Sequence, residues 1–299
     1  MSSTSSDLWN ALTASLFANV DDAFVAEFRK PGGANSRLAA WDPFDRTMRY
    51  FKFMLFNACE RQPDRFFELY KKLGDTLIGA PVTVKVRGVD INIDHLFSVE
   101  EFMFVDRAIG ASNVTSVVEI GAGFGRTCQA FLALAPSVER YTIVDLPNVL
   151  ALSRSVLQKV VPSKFDRIAF VDATDSAAWQ GLAADLAINI DSFQEMSPPT
   201  IDAYRDGILR HARHVYIKNP IGKYAPESIG IAVENPAKFH DVFELGYCRS
   251  VIDIFDDASL AAARKAYIDA YRPAAGWRTL ADEPLDMFRY LHHVLYGAP

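Results

Sequence analysis

Three glycines at alternate positions follow a short apolar run and an acid in the segment Val117–Gly125 (VVEIGAGFG). A chain that leaves a buried strand can turn sharply there, and without a Cβ its backbone amides can approach a ligand closely enough to contact it. About twenty residues later, the apolar run Tyr141–Val144 ends at Asp145, a carboxylate that could accept hydrogen bonds from both hydroxyls of a ribose. This spacing of loop and acid predicts a site for a nucleotide-type cofactor.

The positions of the glycines distinguish between two classes of cofactor. In the nicotinamide fingerprint, G-x-G-x-x-G, the third glycine comes one position later than it does here. The third glycine of this chain is Gly125, and Arg126 stands at the fingerprint position. Glu119, two residues before the first glycine, has no role in dinucleotide binding. A glycine-rich turn that binds nothing is a further alternative, but it does not account for Asp145 at the matching distance.

The acid followed by alternating glycines resembles motif I of the class I S-adenosylmethionine-dependent methyltransferases. The resemblance implies S-adenosyl-L-methionine as cofactor and S-adenosyl-L-homocysteine as product. It also implies that the loop holds the methionine part of the cofactor, while the acid after the second strand takes the ribose hydroxyls. The cofactor residues implied for these two segments are Glu119, Gly121, Ala122, Gly123, Gly125, Asp145 and Leu146.

Further polar residues follow the next strands of the predicted sheet, where ligands of such sheets bind. By the same resemblance, Asp172 and Ala173 would meet the adenine, although Asp172 could equally cap the following turn. Asp191 and Ser192 follow the fourth strand, where the sheet would face the reactive sulfonium, and they complete the predicted cofactor set. Lys218, at the end of the fifth strand, faces the same crevice, although a lysine there is more often solvated.

Methyl transfer is an in-line displacement, so catalysis comes chiefly from holding the acceptor, methyl group and sulfur in line. A sugar hydroxyl is a poor nucleophile, and a base within hydrogen-bond reach typically adds ~10²–10⁴-fold. The candidate catalytic residues are Asp191, Glu195 and His240. Asp191 could instead hold the methionine ammonium, and His240 could be a surface or packed histidine. Asn189, Asp191 and Glu195 would only partly fill a Mg²⁺ shell, so no metal site is predicted.

Most of the carboxyl-terminal two-thirds of the chain resembles the bacterial sugar O-methyltransferase family. The resemblance is carried by VVEIGAGFGRT, YTIVDLPNVL, INIDSFQEMSPPTIDAY and VYIKNP, and it extends forward through IDHLFSVEEFMFV. It implies an S-adenosylmethionine-dependent O-methyltransferase that acts on a small hydroxylated molecule, such as a sugar or glycosylated natural product. An N-methyltransferase of the same fold and a cofactor-binding protein without turnover remain as alternatives.

From Thr115 onwards, predicted strands and helices alternate, which indicates an α/β fold with a mainly parallel sheet. The predicted strands are Ser116–Ile120, Tyr141–Asp145, Ile168–Asp172, Leu186–Ile190, Val215–Asn219, Ser250–Phe255 and Met287–Tyr296. The predicted helices are Arg126–Leu134, Pro147–Val160, Ala177–Leu182, Pro199–Ala212, Pro236–Leu245 and Ser259–Tyr271. We therefore expect the Rossmann-like, mostly parallel seven-stranded sheet of class I methyltransferases. The resemblance implies that its last strand is inserted antiparallel.

The first 110 residues predict a separate helical N-terminal region, and residues 111–299 the methyltransferase domain. Predicted helices cover Leu8–Phe28 and Phe44–Cys59, and another begins at Pro63 and stops at Gly74. In the next helix, a capping box of Ser98 and Glu101, a staple of Phe97 and Phe102, and an end near Gly110 are predicted. We expect this region to form the acceptor lid and consider it a candidate surface for homodimerisation.

Composition limits the range of partners. The chain has 299 residues, of which 50% are hydrophobic, with a net charge of −6 and a pI of about 5.5. No run of Lys and Arg exceeds two residues, so the basic patch expected for nucleic-acid binding is missing and a small-molecule acceptor is favoured. Three widely spaced cysteines, and the lack of an apolar segment typical of a signal peptide or a membrane span, predict a cytoplasmic protein.

Overall fold

The computed structural model describes Asp21, Ala23, residues 48–230 and residues 242–299. The chain divides into two compact units, Met1–Met54 and Leu55–Pro299. Helix α1 (Met48–Glu60) begins in the first unit, in agreement with the carboxyl-terminal part of the predicted helix Phe44–Cys59. Apart from Asp21 and Ala23, the predicted helix Leu8–Phe28 lies outside the described residues, as does the catalytic candidate His240. None of the described helices is long and apolar enough to cross a membrane.

Seven strands form one sheet in the second unit. They are β3 (Ser116–Ile120), β4 (Arg140–Asp145), β5 (Ile168–Asp172), β6 (Ala184–Ile190), β7 (Ala212–Pro220), β8 (Arg278–Pro284) and β9 (Leu291–Gly297). The strand order is β5-β4-β3-β6-β7-β9-β8. Strands β3 to β7 pair in parallel, whereas β9 is antiparallel to both β7 and β8. The predicted Rossmann-like, mostly parallel seven-stranded sheet, with its antiparallel last strand, is therefore confirmed.

The remaining elements cover the sheet or precede it. A hairpin of β1 (Val84–Val86) and β2 (Val89–Ile91) comes before the sheet. The other helices are α2 (Asp64–Tyr70), α3 (Ile93–Ile109), α4 (Arg126–Leu134), α5 (Pro147–Val160), α6 (Ser176–Trp179), α7 (Pro198–Gly207) and α8 (Asp257–Ala270). All five residues of β3 are buried, because helices cover both faces of a parallel sheet and its central strands become continuous apolar runs. Strand β3 is thus a rigid base for the glycine loop that follows it.

One predicted strand is wrong. Ser250–Phe255 forms no strand: Val251 makes an isolated bridge to Lys223, and Phe255 is 72% exposed. Strand β8 belongs to the sheet but was not predicted from the sequence. It lies at the edge of the sheet, has a register shift between Thr279 and Ala281, and ends in a proline. Edge strands tolerate such irregularities because one side of their backbone needs no partner in the sheet. Its polar sequence, RTLADEP, therefore lacks the apolar alternation that identifies a strand.

The predicted capping box is also wrong. Helix α3 begins earlier, with Asn92 as its N-cap, and the Asn92 side chain accepts a hydrogen bond from the His95 amide. Asparagine is a favoured N-cap residue, and the segment after it is compatible with a helix, so the N-cap lies at Asn92 and not at Ser98. Ser98 instead donates to the carbonyl of Asp94, and Glu101 is completely buried. The predicted end at Gly110 is confirmed.

Candidate functional site

A cleft with a volume of about 460 Å³ lies at the carboxyl ends of strands β3, β4, β5 and β6. This is the edge at which parallel α/β sheets bind ligands. The predicted site residues that line it are Gly121, Gly123, Asp145, Leu146, Ala173, Asp191, Ser192 and Glu195. Its apolar walls come from Val144, Val149, Ile190, Met196 and Tyr204. The structure therefore brings together residues from four separate segments that the sequence analysis assigned to one site.

The glycine loop follows the backbone path that the spacing predicts. Gly121, Gly123 and Gly125 all have positive φ angles, of 73°, 57° and 93°. A Cβ on Gly121 would lie 2.3 Å from the Ser192 hydroxyl, and one on Gly125 would lie 2.7 Å from Leu157. A Cβ on Gly123 would meet no protein atom within 4 Å. The first and third glycines are thus required by packing, whereas Gly123 leaves its backbone open to the cleft.

Asp145 joins the loop to the end of strand β4. Its Oδ2 accepts a hydrogen bond from the Gly123 amide at 3.1 Å, and its Oδ1 accepts one from the Leu146 amide at 2.8 Å. An ionised carboxylate has about four acceptor positions, so each oxygen keeps the capacity for a second hydrogen bond. The carboxylate is therefore fixed at the cleft wall and can still accept hydrogen bonds from a pair of hydroxyls.

Asp172 has a different role from Asp145, although both end parallel strands. Its Oδ1 accepts hydrogen bonds from the amide and the hydroxyl of Thr174, at 2.8 and 2.7 Å. Asp172 caps this turn and does not line the cleft, whereas the next residue, Ala173, does. Of the two alternatives for Asp172, the structure shows the cap.

Glu119 lies below the glycine loop, outside the cleft lining. It is 1% exposed, and its Oε2 accepts a hydrogen bond from the Tyr141 hydroxyl at 2.7 Å. Burial raises the pKa of this carboxyl from 4.5 to about 7, against the lowering effects of the Tyr141 hydrogen bond and the nearby Arg126 charge. Ala122 and Gly125 are likewise absent from the lining. These three residues support the loop rather than face a ligand.

Glu119→Gln is expected to stabilise the protein at high pH. Between pH 4.5 and about 7 the unfolded chain loses the Glu119 proton while the folded chain keeps it, so this residue lowers the free energy of unfolding as pH rises. Glutamine removes that penalty and can still accept from Tyr141. We expect the substitution to raise the free energy of unfolding by about 1–3 kcal/mol more at pH 8 than at pH 5, as urea unfolding would measure. An equal effect at both pH values would contradict an ionisable, buried Glu119.

A network of buried side chains with alternating charges extends to the cleft. The Arg126 guanidinium binds both oxygens of Glu101, at 2.7 and 3.0 Å. The Lys218 ammonium lies 2.8 Å from Glu101 Oε1 and 3.1 Å from Asp191 Oδ2. The side chains of Glu101 and Lys218 are fully buried, which excludes the alternative of a solvated Lys218. Sequence reasoning missed this network because its members come from four distant segments, although a lysine in an otherwise apolar central strand was a signal of it.

Asp191 is the member of this charged network that lines the cleft. Its φ angle is +57°, a conformation that aspartate adopts more readily than most residues, and its amide donates to the Lys218 carbonyl at 2.8 Å. Oδ2 is held by the Lys218 ammonium, whereas Oδ1 is buried and has no hydrogen-bond partner within the described residues. Such an unpaired acceptor is costly, so the Oδ1 of Asp191 is suited to a donor supplied by a ligand.

Two buried asparagines hold the loop that carries Asp191. Asn189 donates to the Ile120 carbonyl at 3.0 Å and accepts from the Asn219 side chain at 2.9 Å. Asn219 also accepts from the Gln194 amide. Both asparagines are completely buried, and satisfied buried networks of this kind define a single arrangement. The backbone from Asp191 to Gln194 is therefore tied to strands β3, β6 and β7.

The other catalytic candidates are placed differently. Glu195 lies exposed in a short 3₁₀ turn, Phe193–Glu195, at the cleft wall. The two adjacent histidines of β9 reach neighbours instead of the cleft: His292 contacts Asp282 at 3.0 Å and His293 contacts the Tyr216 hydroxyl at 2.7 Å. In the part of the chain that the structure describes, no group of three or more His, Cys, Asp or Glu residues is placed to hold a metal ion.

No protein-family model and no curated protein matches this chain, so the narrower resemblance to sugar O-methyltransferases stays a prediction. Solved structures that are similar include LaPhzM, with 18% identity over 69% of this chain and 56% of that chain and a TM-score of 0.43. The mitomycin 7-O-methyltransferase MmcR has 15% identity over 92% of this chain and 74% of its own, with a TM-score of 0.43. The glycopeptide N-methyltransferase MtfA, complexed with S-adenosyl-L-methionine, has 16% identity over 68% of this chain and 94% of its own, with a TM-score of 0.44.

Proposed function

We propose that this protein is an S-adenosylmethionine-dependent methyltransferase that methylates an oxygen atom of a small molecule. The observation that carries the proposal is the cleft at the carboxyl ends of four parallel strands. It combines an open backbone at Gly123, a fixed carboxylate at Asp145 and an unpaired acceptor at Asp191. The Gly123 backbone and Asp145 would meet the methionine part and the ribose diol of the cofactor, and Asp191 would face the acceptor hydroxyl.

The residues present fit this cofactor part by part. Asp145 would accept hydrogen bonds from the ribose hydroxyls, and the apolar wall of Val149 and Ala173 would cover the adenine. The backbone of the loop at Gly123 would hold the methionine part, and the Oδ1 of Asp191 would remain available to the acceptor hydroxyl. A nicotinamide cofactor is less suitable, because the residue at the third fingerprint glycine is Arg126, whose side chain is engaged in the pair with Glu101.

When bound, the cofactor supplies a sulfonium methyl group: the new carbon–oxygen bond forms as the carbon–sulfur bond breaks, and the hydroxyl proton leaves to a base. Two carboxylates line the cleft near the end of β6, Asp191 and Glu195. Asp191 is held rigidly by Lys218 and by the backbone, whereas Glu195 is exposed and its carboxylate makes no hydrogen bond within the described residues. A base must be positioned within hydrogen-bond reach of its proton, and Asp191 meets this requirement better.

Asp191→Asn is expected to lower kcat by about two orders of magnitude while leaving the affinity for S-adenosylhomocysteine within a few fold. The matched change Glu195→Gln should alter kcat by less than about fivefold. Turnover with a hydroxylated acceptor and calorimetry give the two quantities, and thermal unfolding verifies that each variant folds. The opposite pattern would move the base to Glu195. A large loss of cofactor affinity in Asp191→Asn would make Asp191 the anchor of the methionine ammonium instead.

Asp145→Ala tests the cofactor assignment. If Asp145 holds the ribose hydroxyls, its loss should weaken S-adenosylhomocysteine binding by about 2–4 kcal/mol, the range for losing charge-assisted hydrogen bonds and leaving donors unpaired. Asp172→Ala is the control, because this carboxylate ends the neighbouring strand but caps a turn outside the cleft. We expect calorimetry to show less than about a threefold change for the control. Equal losses in both variants would contradict the specific role of Asp145.

A further inference from the structure

A second cavity, about 530 Å³ in volume, lies near the cofactor cleft and has four aromatic rings in its lining, those of Tyr224, Phe255, Phe288 and Tyr290. We propose that this cavity, named here the aromatic pocket, binds the methyl acceptor and that the acceptor is a planar hydroxylated aromatic molecule. The proposal rests on the proposed function, because it identifies the second substrate of the same site.

The aromatic pocket and the cofactor cleft open at the same edge of the sheet. Tyr224 follows the carboxyl end of β7 at Pro220. Because β9 is antiparallel to β7, its first residue, Leu291, pairs with Pro220 at this same edge. The connection from β8 to β9, residues 285–290, therefore also lies here, and it supplies Phe288 and Tyr290 to the aromatic pocket. A ligand in this pocket would lie over β7 and β9, next to the strands that form the cofactor cleft.

A series of side-chain contacts runs from Asp191 to one ring of the aromatic pocket. The Lys218 ammonium lies 3.1 Å from Asp191 in the cleft and 5.0 Å from the centre of the Phe97 ring. Phe97 packs edge-on against Phe288, with ring centres 6.0 Å apart. The pKa of Tyr290 is raised, mainly by burial and also by the nearby charges of Tyr224 and Asp191, which agrees with its position between the cavities. The Asp191 carboxylate is thus linked through Lys218 and Phe97 to the rings that would hold the acceptor.

The chemistry of the lining favours an aromatic ring over a sugar. Of the eleven lining residues, eight are apolar or aromatic, and the charged ones are Asp257, Asp286 and Arg289. A sugar carries hydroxyls on most of its carbons, and each buried hydroxyl without a partner is costly. Flat aromatic molecules instead gain binding free energy from offset or edge-on packing against aromatic rings. Pockets of this size and lining are typical for small apolar ligands. A hydroxylated aromatic molecule with one hydroxyl needs only one hydrogen-bond partner, and Asp191 would supply it.

The test uses 2-naphthol as the aromatic probe and methyl α-glucopyranoside as the sugar probe. Each is titrated by calorimetry into the protein saturated with S-adenosylhomocysteine. The key variant is Phe255→Ala, which should fold because Phe255 is 72% exposed. Leu152→Ala is the matched control, since Leu152 is 53% exposed and lies on α5 outside the lining of both cavities. We expect 2-naphthol to bind and the sugar not to bind. Phe255→Ala should weaken the naphthol about tenfold, and Leu152→Ala less than about twofold.

Separate outcomes identify which proposal fails. If the sugar binds and 2-naphthol does not, or if Phe255→Ala leaves naphthol binding unchanged, the aromatic acceptor is overturned while cofactor binding still supports the methyltransferase. If the wild-type protein does not bind S-adenosylhomocysteine, the proposed function fails, and the acceptor role of the aromatic pocket fails with it.

Discussion

Gly123→Val is expected to abolish S-adenosylhomocysteine binding while the protein remains folded. A Cβ at this position would meet no protein atom within 4 Å, so the added side chain would project into the space that the ligand needs. In the proposed function, the backbone there would be the point of closest approach for the methionine part of the cofactor. We expect calorimetry to show at least a ~100-fold loss of affinity.

The control for this substitution is Gly181→Val. Gly181 has a φ angle of +78°, a Cβ there would also meet no atom within 4 Å, and the residue lies outside the cleft lining. Both variants therefore carry a similar backbone penalty of about 1–2 kcal/mol, which denaturant unfolding measures. Gly181→Val should keep full cofactor affinity. If Gly123→Val also kept it, the loop would not be the binding site.

Glu101→Gln is expected to destabilise the protein by about 3–5 kcal/mol, because removing one partner of a buried ion network leaves the other charges uncompensated. Glu101 lies between Arg126 and Lys218, and these two cations hold the pKa of its carboxyl down to about 2. A lowered carboxyl pKa contributes stability that is present above pH 4.5 and is lost as pH falls towards 2. The difference between wild type and variant should therefore shrink in acid, as denaturant unfolding at several pH values would show.

The adjacent residue, Glu100, offers a control of opposite sign. Burial raises the pKa of its carboxyl to about 7, and its Oε2 has no hydrogen-bond partner within the described residues. Ionisation of Glu100 above that pH opposes folding, so Glu100→Gln should be neutral or stabilising at pH 8. The same change at two successive positions is thus expected to have opposite effects. Equal destabilisation by both variants would contradict the assignment of the network to Glu101.

The parallel half of the fold was predictable because its signals are local. Strand β3, helix α4 and helix α5 have the predicted bounds, since an apolar β-branched run, a glycine loop and a proline in the first helical turn each define an element from neighbouring residues. Most of the cofactor cleft followed from the same logic, because residues just beyond parallel strands must meet at one edge. Asp145 and Asp191 lie where this rule places them.

The features that were missed depend on contacts between distant segments. Glu101 and Lys218 are 117 positions apart, and no local pattern shows that they share one buried network. The local signal was instead misleading, because Ser98 and Glu101 have the spacing of a capping box but lie inside a helix that begins at Asn92. Glu119 has the predicted motif position, yet it accepts a hydrogen bond from Tyr141 on the neighbouring strand and does not line the cleft.

Calorimetric titration of the wild-type protein with S-adenosylhomocysteine and, separately, with NAD⁺ tests the cofactor assignment most directly. The cleft at Gly123, Asp145 and Asp191 predicts one molecule of S-adenosylhomocysteine bound per chain, more tightly than NAD⁺. Tighter binding of NAD⁺, or no binding of S-adenosylhomocysteine, would contradict the methyltransferase proposal.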